Sequence, residues 1–156
     1  MKKSLHVFLI FILLHLFSTA YAHQQISVDN AWVRSAPPGA DVLAAYMVLK
    51  NESEETRVLT SVSSNMFNRI EIHKTEMHEG MMKMIPQDSL SIPPGGLVTL
   101  EPGGFHFMLI GPKSVPTEGE EVELLLKFSN GHSQRIKAPV KADKDKGGTM
   151  EEHGHH

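Results

Sequence analysis

The chain has 156 residues, a length that suits one domain with a modest core. Fifteen Lys and Arg stand against eighteen Asp and Glu, a formal net charge of −3, so nothing draws this chain to nucleic acid or anionic lipid. It has no cysteine and nine methionines, which excludes disulfide frameworks and thiolate metal sites and leaves thioether sulfur and imidazole nitrogen to hold any soft metal.

In chain order, the first segment reads as an export signal. Lys2 and Lys3 precede an apolar run from Val7 to Phe17 broken only by His15, and Ala20-Tyr21-Ala22 fits a small-x-small cleavage site. The run is short of the ~20 residues a spanning helix needs, and no cysteine follows it to carry lipid. Cleavage after Ala22 leaves a chain that begins at His23 and has no stable membrane insertion. The removed part holds two basic residues and no acidic one, so the mature charge is −5.

Short strands separated by turn formers follow. Strands are expected over Ile26 to Arg34, Ala44 to Lys50, Arg57 to Val62, Arg69 to Met77, Met81 to Ile85, Leu97 to Leu100, Phe105 to Ile110, Glu121 to Phe128 and Gln134 to Val140. Breaks fall at Ala36-Pro37-Pro38-Gly39, His78-Glu79-Gly80, Pro93-Pro94-Gly95-Gly96, Pro102-Gly103-Gly104 and Asn130-Gly131, the last a hairpin turn. No segment keeps a helical period. The expectation is an all-β single domain, a β-sandwich or small barrel, over residues 23–140. Residues 1–22 are the signal, and residues 141–156, KADKDKGGTMEEHGHH, read as a disordered His-rich tail.

Alternation along strands concentrates the chemistry. In Phe105 to Leu109 the Phe and Leu side chains take one face, and His106 and Met108 take the other. Ile70 and Ile72 share a face and leave His73 opposite, while Met82 and Met84 share a face of the returning arm. A turn near Glu79 brings His73 close to Met84 across the hairpin. The two pairs converge if their strands are neighbours. Two imidazoles with two thioethers suit Cu(I) far better than Zn(II), Mg(II) or Ca(II). Thioethers do not form disulfides, and protonation of the imidazoles weakens binding as pH falls.

The spacing His73, ten residues, Met84, twenty-one residues, His106, one residue, Met108 resembles the H-x10-M-x21-H-x-M signature of the PCuAC-type periplasmic copper chaperones. DNAWVRSAPPGA, AAYMVLKN, IEIHKTEM, MMKM, IPPGG and EPGGFHFMLIG are similar to the family as well, so the resemblance covers about Ile26 to Val140. It implies a cupredoxin-like Greek-key β-sandwich and a periplasmic location. It implies His73, Met84, His106 and Met108 as Cu(I) ligands. It also implies delivery to the apo-CuA domain of cytochrome c oxidase subunit II, alongside a Sco-type protein, with no catalysis. A blue-copper centre normally needs a thiolate, and this chain has none.

Other residues stay outside that signature. Met77, Met81 and Met82 are either auxiliary copper donors or a hydrophobic rim for a partner, the rim being preferred because flexible Met surfaces suit docking. His78 is expected to be exposed at the turn. Met47 and Met66 are core or surface residues. His153, His155 and His156, with Met150, form a candidate second site for Cu(II) or Zn(II). The alternatives to a chaperone are a copper buffer without a dedicated recipient, a copper enzyme using the α-amine and imidazole of His23, and a plain interaction domain.

Overall fold

The computed structural model describes residues 25–142, so the export signal, His23 and the tail with Met150, His153, His155 and His156 lie outside the described residues. These residues form ten strands: β1 (Ile26–Arg34), β2 (Val42–Asn51), β3 (Arg57–Ser63), β4 (Phe67–His78), β5 (Met81–Gln87), β6 (Leu90–Ile92), β7 (Leu97–Leu100), β8 (Phe105–Pro112), β9 (Glu121–Phe128) and β10 (Ser133–Lys141). No helix occurs among the described residues. The strand expected from Arg69 to Met77 is longer at both ends, and β6 was not expected at all.

The strands join in the order β5-β4-β8-β7-β2-β1-β10-β9-β3-β6. The continuous sheet folds over itself, because β3 packs on β4 and β6 approaches β2 although neither pair is hydrogen-bonded. The result is the two-layered, cupredoxin-like arrangement expected from the sequence. The halves are tied by a parallel pairing of β1 with β10, Val33 opposite Val140.

Alternation explains which faces turn inward. In β9 Val122, Leu124, Leu126 and Phe128 are buried, and Glu121, Glu123 and Lys127 between them are exposed. In β2 Leu43, Ala45, Met47 and Leu49 enter the same core. In β8 Phe107 and Leu109 are wholly buried, and they set the orientation of His106 and Met108. Burying such side chains contributes roughly 1.5–3 kcal/mol each, so the facing of β8 is strongly fixed.

Two turns place the strands that matter. Glu79 and Gly80 both have positive φ, 50° and 79°, and they close β4 onto β5 with His78 opposite Met81. That is the backbone of a two-residue turn whose twist matches the strands. Before β8, Gly103 sits at φ 83° and the Gly104 N–H donates to the Glu101 carbonyl at 3.0 Å, which turns the chain directly into Phe105 and His106.

Candidate metal centre

β4 and β8 are antiparallel neighbours, and His73 lies directly opposite His106. Their ring centroids are 5.8 Å apart. Glu71 lies opposite Met108 two residues away, so Glu71, His73, His106 and Met108 share one face of the ladder. On the other side of β4, Met84 of β5 faces Thr75, and His73 faces Pro86. Met84 is therefore the diagonal neighbour of His73 on that same face. The two-residue turn sets this register. Diagonal positions ~7–8 Å apart remain within reach of a long thioether side chain.

Met84, His106 and Met108 line one cavity of about 220 Å³, together with Arg34, Val42 and Ala44. His73 is not on its wall, but its ring lies against that of His106. Both histidines are buried, with 7% and 5% of their surface exposed. Met108 is half-buried and Met84 is exposed. The four side chains singled out by spacing thus gather on one face across β4, β5 and β8.

The hydrogen bonds of the two rings fix their tautomers. His73 Nε2 stands 2.9 Å from Glu71 Oε2. An ionised carboxylate only accepts, so Nε2 carries a proton, and in the neutral ring Nδ1 holds the lone pair. That Nδ1 is buried and has no hydrogen-bond partner. His106 Nδ1 lies 3.2 Å from the Gly104 carbonyl, which likewise can only accept, leaving a lone pair on Nε2. The same carbonyl accepts the Thr75 N–H at 3.0 Å, so it clamps β4 and β8 together while it orients the ring. An acceptor on the far nitrogen is the usual companion of a metal-binding imidazole.

Electrostatics favour a neutral His106 ring. Burial pulls His106 below the ordinary imidazole range, against the pull of the Gly104 carbonyl, with His73 and Arg34 lowering it further. Glu71 is held below the usual carboxylate range, first by its hydrogen bond from Arg69 and then by that from His73. The two thioethers and the His106 ring beside Arg34 are uncharged donors, and the one carboxylate on this face, Glu71, is engaged by Arg69 and His73; soft donors of this kind suit a soft monovalent ion better than a divalent one. Among the described residues no group of three or more His, Asp or Glu could hold a metal by itself.

Sequence reasoning passed over Glu71 and the Gly104 carbonyl. The Glu-x-His spacing was visible in Glu71 and His73, since residues two apart share a strand face. Met47 is buried, Met66 packs against the core and His78 is exposed beside the turn.

Residues 26–140 match the family described as "Putative lipoprotein LpqE-like". The chain is 32% identical over 117 residues to "Putative lipoprotein Lxx21020" of Leifsonia xyli subsp. xyli, covering 74% of this chain and 69% of that protein. Among solved structures it is similar to the copper-bound PCuAC domain from PmoF2, with 26% identity, a TM-score of 0.67 and coverage of 79% of this chain and 97% of that one. It is also similar to the solution structure of Cu(I)-DR1885 from Deinococcus radiodurans, with 31% identity, a TM-score of 0.61 and coverage of 81% and 85%.

Proposed function

The chain belongs to the LpqE-like family and is a PCuAC-type domain, and from that premise we propose that it is a copper chaperone that binds Cu(I) through His73, Met84, His106 and Met108. The observation that carries this reading is the buried, unpartnered Nδ1 of His73, on a ring whose other nitrogen is held by Glu71. A buried polar atom without a partner costs about 1–3 kcal/mol, and a soft cation arriving beside it removes that cost. Copper-bound relatives of the same fold supply the identity of the ion.

The chain's own groups explain why such a site both holds and releases its cargo. Glu71 and the Gly104 carbonyl keep the rings oriented, so binding orders little. Four neutral donors leave the ion its single charge. Met84 is 59% exposed, which gives an incoming ligand access to the metal from that side. Transfer requires only ligand exchange, with no change in oxidation state.

The wider role follows in the same reading. The Lys2-Lys3 start, the apolar run and Ala20-Tyr21-Ala22 support export to the periplasm, with cleavage after Ala22. The recipient is the apo-CuA domain of cytochrome c oxidase subunit II, with a Sco-type protein beside it.

Anaerobic Cu(I) titration against a competing chelator tests the site. One tight equivalent in the parent protein, lost in a His73→Ala/Met84→Ala variant, is the expected result. Equal affinity in the two removes the assignment. Mixing loaded protein with an apo-CuA domain then tests delivery, read by the copper content of each protein after the two are separated. Copper that stays bound under those conditions makes the protein a buffer rather than a chaperone.

A further inference from the structure

Six large hydrophobic side chains are exposed among the described residues, and four of them are Met77, Met81, Met82 and Met84 of one hairpin. Methionine is ordinarily a filler of cores, and none of these four is in the core. Their placement on the ladder is uneven. Met77 is the direct partner of Met82, and Met84 follows two residues along β5, opposite Thr75. Since His73, Thr75 and Met77 alternate onto one face of β4, Met77, Met82 and Met84 all stand on the face that carries His73. Met81, paired with His78, stands on the other. Hence three thioethers run in a row from the hairpin tip to the His73–His106 pair, on an edge strand with an open side.

We infer that Met77, Met82 and Met84 form a second soft-metal site, a capture station that takes Cu(I) at the hairpin tip and loads the inner centre through Met84. The inference rests on the proposed copper reading and extends it by an entry route. Three thioethers satisfy a soft monovalent ion in trigonal coordination and bind it more weakly than a set containing two imidazoles. Direct cross-strand partners have Cβ atoms about 4.5–5.5 Å apart, a separation that two flexible methionines span around one ion. Movement inward is ligand exchange. Met84 keeps its bond while Met77 and Met82 release, and His106, His73 and Met108 take their places. The ion remains Cu(I) throughout, and thioethers exchange no proton. This geometry assigns Met77 and Met82 a donor role rather than that of a docking rim, and leaves Met81 outside it.

The test uses the full chain with ¹³C-labelled methionine methyls and Cu(I) added anaerobically. In the parent protein the first equivalent shifts Met84 and Met108 and leaves Met77 and Met82 in place. In a His73→Ala/His106→Ala variant, Met77, Met82 and Met84 shift together at the first copper added. Stopped-flow loading from a weak Cu(I)–chelator complex slows about tenfold in Met77→Leu/Met82→Leu and is unchanged in Met81→Leu. Either stationary Met77 and Met82 methyls in the His73→Ala/His106→Ala variant, or parent loading rates in the double leucine variant, overturns the capture station. A Met108 methyl that does not respond to the first equivalent is a different failure, that of the inner site itself.

Discussion

Glu71 Oε2 and His73 Nε2 are 2.9 Å apart on the same face of β4. The carboxylate also receives the Arg69 guanidinium at 2.8 Å, so it is braced from one side and braces the ring on the other. Glu71→Ala removes the brace without opening the core, because this side chain is 37% exposed. Losing an outer-shell partner of this kind typically costs 10–100-fold in metal affinity. We expect a loss of about that size in Cu(I) competition titrations, with the melting temperature of the metal-free protein little changed. An affinity equal to the parent's would show that His73 needs no help from the carboxylate.

Met84 and Met108 differ in burial, and the difference separates binding from folding. Met84 is 59% exposed, whereas Met108 is half-buried on the cavity wall between His106 and Ala44. Met84→Leu keeps the shape and removes only the sulfur. Its expected outcome is Cu(I) affinity at least about tenfold weaker with an unfolding midpoint within ~0.5 kcal/mol of the parent. Met108→Ala and His106→Ala should weaken Cu(I) as sharply without unfolding the domain, although each also leaves a small void. Parallel urea melts and chelator titrations read both quantities, and unchanged affinity in Met108→Ala and His106→Ala together would sink the assignment of β8 to the site.

The lowered pKa of His106 gives the metal-free protein a pH dependence whose sign is fixed. Unfolded, the imidazole titrates near its ordinary value of about 6.5, and folded it titrates lower because burial disfavours the charged form. Above pH ~6.5 both states are neutral and the group contributes nothing. As the pH falls below that value the unfolded state takes up a proton first, so stability drops until the folded ring also protonates. The carboxylates Glu71, Glu76 and Glu120, all lowered, lose their contribution only near and below the ordinary carboxylate range of about 4–4.5. Denaturant midpoints of metal-free protein measured between pH 7 and 5 should therefore decline, and decline less in His106→Gln. Parallel curves for the two proteins would mean that His106 titrates alike in both states.

Much of the fold is readable from alternation, and the failures have local physical causes. β1, β7 and β9 have the bounds expected because turn formers flank them closely. β6 escapes notice because three residues, Leu90–Ile92, carry too little period, and it exists by pairing with Arg57–Leu59 of β3. Which side chains share the candidate site is legible in the alternation of β4 and β8 and in the resemblance to a known signature. That His73 sits opposite His106 is not, since it depends on a non-local pairing of two strands. Nor is the register of Met84, which a turn of one residue more or less would have moved to the other face.

Asn51 ends β2 far from the cavity and is wholly buried. Its Nδ2 donates to the carbonyls of Glu55 at 2.7 Å and Ile92 at 3.0 Å, and its Oδ1 accepts from the Ser53 N–H at 3.0 Å and the Ser53 hydroxyl at 2.7 Å. One side chain thus joins β2, the following turn and β6, which is too short to be held by its own ladder. Asn51→Leu keeps the volume but leaves the Ile92 carbonyl and the Ser53 N–H without these partners. Each such orphan costs about 1–3 kcal/mol, so a loss of roughly 2–4 kcal/mol in urea unfolding is expected, with the slope unchanged. Cu(I) affinity of the folded protein should match the parent, because Val42, Leu43 and Ala44, the β2 residues on the cavity wall, lie toward the opposite end of the strand. A loss below ~0.5 kcal/mol would mean that β6 and the turn hold their places without the asparagine. A loss of copper binding at full folding would mean that the two ends of β2 are mechanically coupled.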